Sequence, residues 1–222
     1  MLVVHHLENS RSQRILWLLE ELGLEYEVKR YERDPKTLLA PRELRKIHPL
    51  GKSPVVTDGT RVYAESGAIL ETILARHGNG RLVPERGTDA HDLYTYWMHY
   101  AEGSAMSPLL LKLVFERVAS APVPFFVRPV VKQIASKVNE GYIDPQIKLQ
   151  FGWIEQGLEK HTWFAGDELT AADIQMSFPL EAVVARRRGV EGPRTKAFVT
   201  RIQERPAYQR ALRKGGPYDL LR

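Results

Sequence analysis

The hydrophobic pattern changes period along the chain, and those changes predict its elements. Leu2 to His6 is a short β-rich run; Ile15, Leu18, Leu19 and Leu22 then recur at helical spacing up to Gly23, a natural helix stop. Tyr26 to Tyr31 alternates apolar and charged residues as a strand does, and Pro41 to Ile47 places a proline at a helix start. Val55-Val56-Thr57 and Arg61-Val62-Tyr63-Ala64 flank Asp58-Gly59-Thr60, a hairpin signal. Ser66 then opens a helix carrying Ile69, Leu70, Ile73 and Leu74. The predicted order over residues 1–80 is βαβ, α, ββα.

Beyond Gly78-Asn79-Gly80 the strand pattern stops. A connector over 81–87 leads into helical segments near 89–120, 128–141, 145–160, 170–188, 195–204 and 206–214, so residues 88–222 are expected to form an all-helical domain. Ile147, Phe151, Ile154 and Leu158 make one apolar face. Thr170 and Asp173 have the spacing of a capping box, a structural role, and Pro179 is expected to kink or distort the helix it interrupts.

Composition narrows the function. A chain of 222 residues that is 43% hydrophobic and 27% charged can build a packed core, and no apolar run approaches a membrane span. With no cysteine there is no disulfide framework, thiolate metal site or cysteine nucleophile, which is compatible with a cytoplasmic protein. The first residues show no basic leader or secretory cleavage pattern, so the whole chain is read as mature protein. A net charge of +5 favours anionic partners in general. Arg186-Arg187-Arg188 reads as a solvated helix end rather than a nucleic-acid patch. His5 and His6 point to opposite faces of a strand and cannot easily chelate one metal ion. Tyr94, Tyr96, Trp97 and Tyr100 read mostly as core, with one or two available to line a ligand pocket.

One stretch exceeds structural need. A single oxygen-bearing side chain can cap a helix start, yet Asn9-Ser10-Arg11-Ser12 supplies three such residues in four. Capping and a site that borrows the helix start both fit this stretch. Ser66 likewise serves as an N-cap candidate and as the neighbour of a positive helix end, where an anion can bind.

The order of elements, "HPLGKSPVV" at 48–56, "YAESGAIL" at 63–70 and "WFAGDELTAADI" at 163–174 together resemble the glutathione S-transferases. The resemblance covers nearly the whole chain, and "HHLENSRSQRILWLLEELGL" is similar to the N-terminal segment of a bacterial and fungal branch. It implies a thioredoxin-like domain over 1–80 followed by the helical domain. The implied activity is conjugation of the glutathione thiolate to electrophilic small molecules, with glutathione as co-substrate, no cofactor and no metal. Glutathione-dependent peroxide or disulfide chemistry and a non-catalytic glutathione-binding module are the alternatives.

By the same resemblance Pro54 follows a cis bond, Ser53 pairs through its backbone with glutathione's cysteinyl residue, Glu65 and Ser66 recognise the γ-glutamyl end, and Lys52 reaches a carboxylate. The family usually carries an apolar residue where Ser53 stands; a backbone contact makes that departure cheap. Members stabilise the thiolate with a Tyr, Ser or Cys at the end of the first strand. Here the first Tyr is Tyr26 and Cys is absent, and Ser10 stands four residues before Arg14, the serine-type spacing, with Asn9 and Ser12 as rivals. A homodimer with the long 89–120 helix near its two-fold axis is also implied.

Overall fold

The computed structural model describes residues 1–186 and 189–221. Four strands, β1 (Leu2–Leu7), β2 (Tyr26–Tyr31), β3 (Val55–Asp58) and β4 (Arg61–Ala64), form one sheet in the order β2-β1-β3-β4. β1 and β2 are parallel, Val4 lying opposite Val28, because helix α1 (Ser12–Leu22) carries the chain back across the sheet between them. β3 runs antiparallel to both β1 and β4, and Gly59, at φ 58, makes the tight turn between β3 and β4. The segment expected to form a helix over 41–47 is a 3-10 turn, Arg42–Lys46, preceded by Pro41. It buries Leu44 alone, against Leu7 and Tyr31, and one anchor cannot sustain the continuous stripe of a longer α-helix. α2 (Ser66–His77) buries Ile69, Leu70, Ile73 and Leu74 as their spacing predicts.

After α2 no further strand joins the sheet among the described residues; Trp163 and Gly166 form only an isolated bridge. The long helix expected over 89–120 is α3 (Asp89–Tyr100) and α4 (Met106–Ala119), joined by a π-helical turn at Ala101–Ala105. A second π turn, Asn139–Ile143, joins α5 (Arg128–Val138) to α6 (Asp144–Lys160), whose buried face is Ile147, Phe151, Ile154 and Leu158. α7 (Ala171–Ala185) continues through Pro179. At its start the Asp173 carboxylate accepts from the Thr170 N–H and hydroxyl and from the Phe164 N–H. Burial pushes that carboxyl up to about 6, and these three bonds oppose the shift. Arg186 is exposed at the end of α7, whereas Arg187 and Arg188, assigned above to the same helix end, lie outside the described residues. α8 (Pro193–Gln203) and α9 (Pro206–Gly215) each begin at a proline, which has no N–H to leave unpaired there.

α1 departs most from its predicted amphipathic form. Beyond Ile15, Leu18, Leu19 and Leu22 it buries Gln13, Arg14, Leu16, Trp17 and Glu20, because α7 and α9 cover the side that the sheet does not. Trp17 meets Tyr208 of α9 edge-on at 5.3 Å. Glu20 is matched by Arg210 and Lys214 of α9, both at 2.7 Å, and by the Tyr26 hydroxyl at 2.8 Å. The apolar core therefore runs without interruption from Leu2 to Ala211. Among the described residues no helix is long and apolar enough to cross a membrane.

Candidate active site

With β3 antiparallel to its neighbours, the C-terminal ends of β1 and β4 lie at the same end of the sheet as the start of β3. Ser10 follows β1, Lys52-Ser53-Pro54 precedes β3, and Glu65-Ser66 follows β4, so strand direction alone gathers these segments at one end of the sheet. The Ser53–Pro54 bond is cis, as the resemblance implied.

Ser10 Oγ lies 2.7 Å from Ser12 Oγ, donates to Ser53 Oγ at 3.5 Å and accepts the Ser12 N–H at 3.3 Å. Ser53 in turn donates to the His5 carbonyl at 3.1 Å and accepts the Leu7 N–H at 3.4 Å. Its hydroxyl therefore stitches the loop before β3 to the end of β1, a task invisible when only its backbone was considered.

The hydrogen donated by each hydroxyl follows from His6. Burial, and then the Arg30 charge, push this imidazole down to about 4, so it is neutral at pH 7. One ring nitrogen hydrogen-bonds to the Gly215 backbone, which leaves Nδ1 as the acceptor, 2.8 Å from Ser12 Oγ. Ser12 thus has two acceptors for its hydrogen, His6 Nδ1 at 2.8 Å and the Leu7 carbonyl at 3.3 Å, and presents its oxygen to Ser10. The Ser10 hydrogen has only hydroxyl acceptors among the described residues, Ser12 Oγ and Ser53 Oγ. Asn9, at φ 48, is engaged at both ends of its amide: Nδ2 donates to Asp219 Oδ2 at 3.1 Å and Oδ1 accepts the Asp219 N–H at 2.7 Å.

Arg14 is not brought to Ser10 despite the spacing. It is fully buried, pairs with Glu102 in the first π turn and leaves Nε and Nη2 without hydrogen-bond partners among the described residues. Arg11 binds the same carboxylate at 3.0 Å, and both guanidiniums lie over the Phe178 ring, at 5.3 and 5.4 Å from its centroid. Burial raises the Glu102 carboxyl, but the charges and hydrogen bonds of Arg14 and Arg11 outweigh it and hold the group below its ordinary value.

Glu65, rather than Ser66, is the N-cap of α2; Ser66 is the first helical residue, so the expected cap shifts by one position. Glu65 adopts φ 70, ψ 127, which an L-residue reaches only at a cost of about 1–3 kcal/mol and which recurs where geometry serves a ligand. Its exposed carboxylate and the exposed Lys52 ammonium form no ion pair with any described residue. Both charges are available to a ligand beside the free N–H groups of the α2 start.

Family models decide what this arrangement belongs to. The model for the glutathione S-transferase N-terminal domain matches residues 10–76, and that for the C-terminal domain matches residues 123–206. The chain belongs to the glutathione S-transferase family. Glutathione S-transferase 1 of Saccharomyces cerevisiae is 36% identical over 191 residues, spanning 83% of this chain and 81% of the relative. Glutathione S-transferase 3 of Schizosaccharomyces pombe is 38% identical over 182 residues, spanning 82% and 74%. A crystal structure of a glutathione S-transferase from Actinobacillus pleuropneumoniae is 37% identical and superposes with a TM-score of 0.84 over 100% of this chain and 96% of that one. The thioredoxin-like sheet followed by helices is the fold of this family, and the protein is a glutathione transferase.

In this transferase a cavity of about 580 Å³ opens beside Asn9 and Arg11, the two residues that flank Ser10. Its apolar wall comes from Met106, Leu109 and Leu113 of α4 and Phe178 of α7. The sequence reading expected one or two of the aromatic set to line a ligand pocket. Tyr94, Trp97 and Tyr100 are buried, and Tyr96 and Trp97 line a different cavity, between α3 and α6 with Trp153. The three-to-four-residue spacing of Met106, Leu109 and Leu113 was the available signal; it reads identically for a core face. His5 and His6 turn to different partners, His5 to Tyr31 and Thr57, His6 to Ser12.

Proposed function

We propose that this transferase is of the serine type, with Ser10 stabilising the glutathione thiolate while the sulfur attacks an electrophilic carbon held in the cavity beside Asn9 and Arg11. In this reading residues 1–80 are the glutathione-binding domain, 81–87 the linker and 88–222 the helical domain that lines the electrophile pocket. Lys52 meets a glutathione carboxylate and Ser53 pairs through its backbone with the cysteinyl residue. Pro54 sets the turn, and Glu65 and Ser66 take the γ-glutamyl ammonium and carboxylate. The supporting observation is the hydrogen-bond order at the start of α1. Ser12 is held by His6 and the Leu7 carbonyl and Asn9 by Asp219, while Ser10, whose acceptors are the hydroxyls of Ser12 and Ser53, has a hydrogen to redirect toward sulfur. A hydroxyl donated to the thiolate, with the positive end of α1 behind it, lowers the thiol pKa; each unit is worth about 1.4 kcal/mol. The protein is read as a cytoplasmic homodimer, with α3 and α4 near the two-fold axis, where Tyr96, Leu111, Val114 and Val118 are exposed.

The test is the thiolate absorbance of bound glutathione against pH in the wild type, Ser10→Ala, Ser12→Ala and Asn9→Ala. Ser10→Ala is expected to raise the bound thiol pKa and slow turnover at neutral pH, with recovery at higher pH. A shift confined to Ser12→Ala or Asn9→Ala overturns the assignment.

A further inference from the structure

The cavity beside Ser10 carries a charge pattern that a general electrophile does not require. Four arginines line it: Arg11 from the start of α1, Arg33 after β2, Arg117 of α4 and Arg186 after α7. No carboxylate lines it among the described residues. The nearby acids are already engaged. Glu102 is shared by Arg11 and Arg14, Glu116 lies 4.0 Å from Arg186, Glu8 accepts the Arg33 backbone N–H at 2.8 Å, and Asp219 is held by Asn9. Among the described residues the Arg33 guanidinium donates to carbonyls, those of Glu8, Asn9 and Leu38. Burial lowers its pKa, the Glu8 charge opposes that shift, and the like charges of Arg117 and Arg11 add to the lowering. Arg117 forms no ion pair with any described residue.

Like charges converge on one cavity at a cost, and an anion relieves it. Guanidiniums match a carboxylate through paired N–H donors, while Leu109, Leu113 and Phe178 offer nothing to a charge and suit an apolar body. We propose that the preferred electrophile of this transferase is an amphipathic carboxylate, its apolar body against α4 and α7 and its carboxylate among Arg33, Arg117 and Arg186. This rests on the reading of the cavity as the electrophile site. The apolar wall and the arginines define a two-ended site, and its volume of about 580 Å³ falls within the range of small-molecule pockets.

A matched pair of probes tests it: a chloro-dinitrobenzoate and its methyl ester. With either, the thiolate sulfur bonds to the chlorine-bearing ring carbon, the carbon–chlorine bond breaks, chloride leaves, and the thiol proton passes to solvent. Specificity constants are compared after division by the uncatalysed rates. The wild type is expected to favour the benzoate over the ester by about tenfold, the worth of one charge-assisted hydrogen bond. In the double variant Arg117→Gln/Arg186→Gln, checked for native circular dichroism, the ratio is expected to fall toward one. A wild-type ratio near one, or a ratio unmoved by the double variant, overturns the inference and leaves the transferase reading intact. A raised KM for glutathione with an unmoved ratio assigns the arginines to the tripeptide and overturns it too. If neither probe is turned over, the electrophile-site reading fails. Calorimetric binding of the chlorine-free dinitrobenzoate then decides separately: weakening about tenfold in the double variant supports an anion site, and equal binding refutes it.

Discussion

Replacing Glu102 with Gln isolates the buried charge that ties the start of α1 to the helical half. Arg14 is fully buried, cannot discharge at accessible pH, and already lacks hydrogen-bond partners among the described residues for Nε and Nη2. Among the described residues Glu102 is the only carboxylate that forms an ion pair with it, and removing that partner from a buried cation typically costs about 3–5 kcal/mol. Glu102 is 36% exposed, so water offsets part of this, and about 2–4 kcal/mol is expected. With about 2.1 cal/mol/K per residue, the 222 residues unfold with roughly 0.47 kcal/mol/K, which converts that range into a Tm lower by about 4–9 °C. The assay is thermal unfolding followed by circular dichroism, with two controls. Arg11→Ala removes the partner that is 32% exposed and is expected to cost under about 1 kcal/mol. Arg14→Met combined with Glu102→Leu removes both charges and is expected to recover much of the loss. A Glu102→Gln protein with wild-type Tm, or an Arg11→Ala protein equally destabilised, would refute the assignment of the energy to Arg14.

Glu65→Gln is expected to weaken glutathione binding by about 1.5–3 kcal/mol, roughly 10–150-fold in Kd, measured by calorimetry; unchanged affinity removes Glu65 from the site. His6 is held at about 4 against an ordinary 6.5, so the folded state binds fewer protons between these values and stability falls as pH drops through that window. His6→Gln, which keeps a donor and an acceptor, is expected to lose about 3 kcal/mol less than wild type between pH 7 and pH 4 in urea unfolding, and parallel pH profiles would contradict this. Gly157→Ala puts a Cβ 2.6 Å from Trp97 and is expected to destabilise by about 1–3 kcal/mol, whereas Gly152→Ala, with nothing within 4 Å, is expected to be neutral or stabilising. Equal unfolding midpoints for the two alanine variants would show that the Trp97 contact relaxes freely.

Local patterning was enough to specify β1 to β4, α2 and the buried face of α6, because β-rich runs, turn residues and helical spacing are written in consecutive residues. The segments later found at one end of the sheet, Ser10, Lys52 to Pro54 and Glu65-Ser66, were also legible, since each sits at an element boundary marked by polar, Pro or Ser residues. Other features depend on residues far apart in sequence. α1 looked amphipathic and is buried almost all round because α9, nearly two hundred residues later, supplies Tyr208, Arg210 and Lys214 to its second side. Arg14 looked like part of a serine-type motif and is paired with Glu102, which a π turn places in a helix that local spacing read as continuous. The neutral state of His6 comes from burial and from the Arg30 charge, while the Gly215 backbone opposes it. Four arginines scattered between residues 11 and 186 become one cavity wall only after packing. Propensity and period act over a few residues, whereas burial, charge pairing and cavity shape are set by contacts between elements, and those contacts exist only in the folded chain.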